Sequence, residues 1–191
     1  MTKKAAIEKV DDLLKPLGFH RRVAAWNREA GHLVEVIETQ VSKAEDTITV
    51  NAGVLDRDVY LKLWGSQSPE FIDEPACTVR ARVGELVAGK DLWWSLTNER
   101  VGEEIVKAII EQLLPFLKRM HSRQDMVQWL TRGDVIKKKY PLPIINLAIL
   151  QNLLGESSEA CALLANLEKK IIGAWRTRVV EVAERLGCRN S

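Results

Sequence analysis

Apolar and polar residues alternate with a period of two through four segments of the first half of the chain. The second half then changes to a helical period. Ahead of the strands, Lys3 to Leu17 places Ile7, Val10, Leu14 and Leu17 on one stripe, with Lys and Asp elsewhere. That pattern predicts an amphipathic helix, ended by Pro16 and Gly18. Arg22 to Arg28 reads as a strand that ends in a turn at Ala30-Gly31. Leu33 to Val41 is a second, rich in β-branched residues. Asp46 to Val54 alternates most cleanly, with Ile48, Val50, Ala52 and Val54 against Thr47, Thr49, Asn51 and Gly53. Cys77 to Val83 alternates too, Cys77, Val79, Ala81 and Val83 against Thr78, Arg80 and Arg82. The links between the first three strands are short, which predicts an antiparallel meander. Gly65 to Pro75 is turn-rich and polar, an exposed loop and a candidate mobile or binding segment.

From Glu99 the stripe is helical: Val101, Ile105, Ile109, Leu113, Phe116, Leu117 and Met120. Pro115 should kink this helix or begin a new one. Asp125 to Arg132 predicts a short helix stopped at Gly133. Leu142 to Leu154 is apolar on nearly every side, so a buried helix capped by Gly155 is expected. A last helix is expected from Ser158 to Leu186, with Ile172, Trp175, Val179, Val182 and Leu186 as its stripe and a bend at Gly173. Ala148 and Ala160 would let the helices on either side of Gly155 pack closely. The pair resembles one tetratricopeptide-type unit, but no second copy follows, and an ordinary αα-hairpin is the favoured reading. The fold class expected is therefore α+β: an N-terminal helix, an antiparallel sheet of about four strands and a helical C-terminal half. The expected division is an α+β domain at 1–121 and a helical extension at 122–191 packed on it.

Composition agrees with a folded chain. Of 191 residues, 46% are hydrophobic and 28% charged, which is enough for a core and argues against disorder. The formal net charge of +2 means that any polyanion-binding surface must be local. Cys77, Cys161 and Cys188 are odd in number and far apart, so free thiols in a reducing compartment are expected. The charged N-terminus lacks the apolar run of a signal peptide, and the most apolar stretch is too short and polar to span a bilayer. A cytoplasmic protein with no membrane contact is expected.

Catalytic patterns are missing. His20, His32 and His121 are isolated and the cysteines are unpaired in spacing, so neither metal nor cofactor is expected. Gly84 to Asp91 fits the glycine-lysine frame of a phosphate loop, but Asp91 stands where the magnesium-binding hydroxyl belongs. Glu35 and Glu38 fall on opposite faces of a strand and cannot act as a pair there. What remains is the polar side of the sheet. Gln40, Asn51, Arg80 and Arg82 lie on strands whose other positions are apolar, and two arginines on one face can hold a carboxylate or phosphate. Its bland counterpart is a solvated face with cross-strand ion pairs to Glu35 or Glu38. Trp93-Trp94 offers one ring to the core and one to a partner, or both packed under a loop. Between Lys118 and Lys139, seven Lys/Arg stand against Asp125 and Asp134, an excess of five that could hold nucleic acid.

A chain of soft motifs links these pieces: Leu14-Lys15-Pro16-Leu17-Gly18-Phe19, Trp26-Asn27-Arg28, Gln40-x-Ser42, Asn51-x-Gly53-Val54, Arg82-Val83 and Trp93-Trp94. Over about the first 120 residues the chain resembles the bacterial family called domain of unknown function 4304. The resemblance implies an α+β fold and a bacterial, cytoplasmic protein, and it supplies no activity and no catalytic residue. Ala52 stands where such proteins often carry a larger apolar residue. The function expected is a non-enzymatic protein-binding module of the immunity, antitoxin or adaptor type, acting through Gln40, Asn51, Arg80, Arg82, Trp93 and Trp94. The alternatives are an enzyme or binder of a small anionic ligand held by Arg80 and Arg82, and nucleic-acid binding through 118–139. Another protein is the expected partner, ahead of nucleic acid.

Overall fold

A computed structural model describes residues 2–87, 89–132 and 140–189. The fold is α+β, with an N-terminal helix, a six-stranded sheet and a helical C-terminal half. The chain divides into two compact units, 1–55 with 70–119, and 56–69 with 120–191.

In the first unit, helix α1 spans Lys3–Leu14, and the Thr2 hydroxyl caps it by accepting from the Ala5 N–H at 3.2 Å. Ala6, Ile7, Val10 and Leu14 are buried along one stripe. Leu17 belongs to the expected stripe but is 40% exposed, because a 3₁₀ turn at Lys15–Leu17, containing Pro16, rotates it off that face. The expected strand Arg22–Arg28 is a hairpin instead. Strand β1 is His20–Arg22 and β2 is Ala25–Ala30, and Val23 between them takes φ 56°, which reverses the chain. Strand β3 (Leu33–Val41) and β4 (Thr47–Asp56) follow, then β5 (Val79–Arg82), a short helix α3 (Val83–Val87) and β6 (Trp94–Ser95). The sheet order is β1-β2-β3-β4-β5, with β6 paired to β4 beyond the end of β5.

One sheet face is the core. Trp26 pairs in register with Ile37, and Ala52 with Ala81. These four, with Ile48, Val50 and Val54, are all nearly inaccessible. Helix α1 reaches this face, since the Trp26 indole donates to Asp11 at 2.7 Å. Helix α4 (Val101–Ala108) packs on α1. A π turn follows at Ile109–Leu113 and helix α5 at Leu114–Arg119. Pro115 has no N–H for a regular i→i−4 bond, and the wide turn directly precedes it. The whole expected stripe from Val101 to Met120 is buried.

The second unit begins with a helix the pattern did not predict, α2 at Arg57–Trp64. Helix α6 (Arg123–Leu130), α7 (Leu142–Leu153) and α8 (Ser157–Glu168) come next, and α7 with α8 forms an αα-hairpin with Ala148 and Ala160 fully buried. The single helix expected from Ser158 to Leu186 is two helices. Gly173, at φ 66° and ψ −148°, breaks it rather than bending it, and α9 runs Ala174–Arg185. Ile172 falls in the connection and is 86% exposed. This turn returns α9 along α8 and brings Cys161 and Cys188 to a Cα separation of 5.2 Å, where they form a disulfide. The expectation of free thiols therefore holds only for Cys77, which is buried. No helix among the described residues is long and apolar enough to cross a membrane.

Candidate functional site

The second face of the sheet carries the polar positions, and it is neither open nor fully solvated. Strand β4 is buried along nearly its whole length on both faces. Thr49 has no exposure and Asn51 only 8%. Two chain segments lie over this face. Residues 70–77 cover one side, where Asn27 accepts from the Ile72 N–H at 2.6 Å and donates to the Ile72 carbonyl at 2.9 Å, as a neighbouring strand would. Residues 90–93 cover the other, where the Thr49 hydroxyl donates to the Leu92 carbonyl at 2.7 Å. The expected exposed loop from Gly65 to Pro75 is thus pinned in its later part, with Ile72 and Glu74 buried.

Between these covers the sequence-picked residues separate into two clusters. The first centres on Arg82, directly opposite Asn51 in the β4–β5 register. Arg82 Nε donates to Asn51 Oδ1 at 3.1 Å, and its Nη2 donates to Gln40 Oε1 at 3.2 Å. Asn51 Nδ2 donates to the same Gln40 oxygen, also at 3.2 Å. Arg82 Nη1 reaches both Asp91 oxygens, at 2.8 and 3.1 Å. Trp93 Nε1 donates to Asp91 at 3.0 Å, and the Trp93 ring centroid lies 5.4 Å from the guanidinium carbon. Gln40, Asn51, Arg82 and Trp93 therefore come together. The Arg82 hydrogen bond, with a second from Trp93, holds the Asp91 carboxyl below its usual range.

Arg80 belongs to a second cluster. Its Nε and Nη2 donate bidentately to Glu74 at 2.7 and 2.6 Å, and Glu74 itself is 3% exposed. Glu38 accepts from the Glu74 N–H at 3.1 Å. Burial pushes the Glu38 carboxyl up, and repulsion from Glu74 and Asp73 adds to the rise. Below lies the Cys77 thiol, pushed well up by burial. It occupies the space left by Gly53, whose added Cβ would stand 2.6 Å from that of Cys77. Arg80 is bound to Glu74 and Arg82 to Asp91, and the Arg80 charge also acts on Glu38. Glu35 faces the helices and pairs with Arg28 at 2.5 Å. Glu74 and Asp91 are the partners that sequence reasoning missed; they sit in loops, six and nine residues from their arginines, where no periodicity marks them.

The remaining candidates resolve differently. Trp94 of β6 pairs in register with Ile48 of β4, and both tryptophans are half-buried. Gly84 is no phosphate loop. It sits in α3, and an added Cβ would lie 2.0 Å from the Lys90 carbonyl oxygen, so the close crossing of 90–92 requires glycine. Ala88 lies outside the described residues, as does the 133–139 part of the basic run. Within the rest of that run, Arg123 is bound to Asp56 and Asp58, and Arg132 lies 4.1 Å from the Trp129 ring centroid.

No curated protein and no solved structure shows a significant match to the chain. The model of the family described as Domain of unknown function (DUF4304) matches residues 10–119, more than half of the sequence and nearly the whole first unit. The Leu-Gly-Phe turn, the Gln40 and Asn51 strands and the Trp93-Trp94 pair all lie inside that match, and the chain is a member of the DUF4304 family.

Proposed function

We propose that this chain is a non-enzymatic protein-binding module, of the kind an immunity protein, antitoxin or adaptor requires, acting in the bacterial cytoplasm. Its recognition surface is the Gln40–Asn51–Arg82–Asp91–Trp93 cluster. The carrying observation is the state of Trp93. The residue is only half-buried, yet its ring is held by a hydrogen bond to Asp91 and by its place beside the Arg82 guanidinium. A large aromatic side chain ordered before a partner arrives loses little entropy on contact, and tryptophan and arginine are the residues that dominate protein interfaces.

Binding of a small anion by Arg80 and Arg82 is the weaker reading for this surface. Glu74 and Asp91 already occupy both guanidiniums, and Glu38, Asp73 and Glu85 stand around them. Carboxylates outnumber cations here, and an incoming anion would first have to displace one.

Affinity capture with wild type, Trp93→Ala and Arg80→Ala/Arg82→Ala, followed by titration of the purified captured protein, tests the reading. Trp93→Ala should weaken the reconstituted complex about thirtyfold, the scale of an interface anchor, with circular dichroism unchanged. Equal affinity of wild type and both variants removes the assignment. So does a thermal shift with inorganic phosphate or citrate that disappears in the double variant.

A further inference from the structure

We propose that the outer edge of β1 is a docking site for an extended acidic segment of a partner protein, added to the sheet as a further strand with a carboxylate at Arg22. Strand β1 pairs with β2 on one side and ends the sheet on the other. All three of its residues are exposed. An uncovered edge is a template for another strand, and charged side chains decide which strand it accepts. Here the row is His20, Arg21, Arg22. A second copy of this chain pairing edge to edge would set basic residues against basic residues, which repels. An acidic strand has the complementary charge.

The two arginines divide the work. Arg21 points to the helix-covered face and is engaged there, donating to the Val23 carbonyl at 2.8 Å and lying 3.9 Å from Asp11. Arg22, two residues along from His20, points the other way. Its guanidinium lies 4.7 Å from the Phe71 ring centroid and pairs with no carboxylate among the described residues. The ring orients the guanidinium and leaves its N–H groups unspent. Beside it is a cleft of about 350 Å³ lined by His20, Arg21, Arg22, Asn27, Glu29, Glu70 and Phe71. That volume is at the low end for ligand sites and suits one or two side chains. Glu29 lies two residues along β2 from Asn27, the partner of His20, and so beyond the His20 end. With Glu70 it limits the site to one carboxylate, placed at the Arg22 end. Directly after Arg22, Val23 is 82% exposed at φ 56°, a conformation that is strained for a β-branched residue. An apolar side chain held there offers a contact to the residue next to that carboxylate.

This surface is separate from the Arg82–Trp93 cluster, and its test is independent of that reading. A fluorescein-labelled peptide of alternating Val and Glu is titrated with the full chain and followed by anisotropy, beside the same peptide with Lys for Glu. The acidic peptide should bind about tenfold tighter or more, Arg22→Glu should reverse the preference, and Arg22→Gln should abolish it. Hydrogen exchange should show protection of the 20–22 amides on binding, and Trp93→Ala should leave the peptide affinity as in wild type. Equal binding of the two peptides, an unchanged preference in Arg22→Glu, or no protection of those amides overturns the proposal.

Discussion

Arg82 gives hydrogen bonds to three side chains from three different segments, β3, β4 and the 90–93 segment. Such a residue holds a surface together as much as it exposes one, and its loss should loosen the 90–93 segment that carries Trp93. Glu38 is the contrasting case, a charge the fold tolerates at a cost. Burial raises its carboxyl, while the Glu74 N–H and Arg80 pull the other way. A raised carboxyl binds its proton more tightly in the native state than in the unfolded chain. Its contribution to stability is therefore complete below the ordinary carboxylate range and falls as pH rises through the raised value. Glu38→Gln keeps an acceptor for the Glu74 N–H and removes the charge. The variant should melt higher than wild type at pH 7, by about 0.5 kcal/mol for a solvent-screened charge, and show no gain at pH 4. Calorimetry at the two pH values reads the difference. A gain equal at both would show that the charge is not its source.

At the scale of elements, α2 shows what one side chain can organise. Asp56 ends β4 and caps α2, accepting from the Asp58 and Val59 N–H groups at 2.9 and 3.3 Å. It is fully buried, and Arg123 donates to both its oxygens at 2.7 and 3.2 Å. These bonds hold Arg123 more firmly protonated than usual, with Asp56 the main cause. Asp56→Ala removes a cap and the charge partner together and should cost about 3 kcal/mol or more in urea unfolding. Asp56→Asn, which keeps an acceptor for the cap, should cost less. The signal for α2 was present, Asp56 before a Val59/Leu63 stripe and Gly65 after it, but it is eight residues long and follows a strand without a break. Strand β3 was legible to the residue because both its ends are turns. Strand β4 was legible as a strand and misleading as a surface. Alternation reports that every second residue is apolar, and the polar ones proved to be covered by backbone from distant loops, which one strand's pattern does not encode. The site was legible to the same extent. Gln40, Asn51 and Arg82 share a face by period alone, whereas Glu74 and Asp91 come from loops whose paths depend on close approaches at Gly53 and Gly84.

For the molecule as a whole, the family match ends at 119 and the second unit holds the Cys161–Cys188 disulfide. The bond joins residues 27 apart in sequence, from the first turns of α8 to just past α9. It thereby closes the α8–α9 pair. Beside it, Glu168 is bound to Arg189 and lies 3.7 Å from Arg176, and these pairs hold its carboxyl below the usual range. They are exposed ion pairs, so they add little once the covalent link is lost. Closing a loop of this length removes roughly 3.5 kcal/mol of unfolded-chain entropy. The variant Cys161→Ser/Cys188→Ser, or wild type in excess dithiothreitol, should lose about that much stability. Faster amide exchange should be confined to α8 and α9, with the β3–β4 amides unaffected. Cys77 provides the internal control, because its thiol is buried and raised and should stay unreactive toward a thiol reagent while the other two are titrated. If reduction instead speeds exchange in the sheet, the bridge supports more of the chain than the pair of helices it joins.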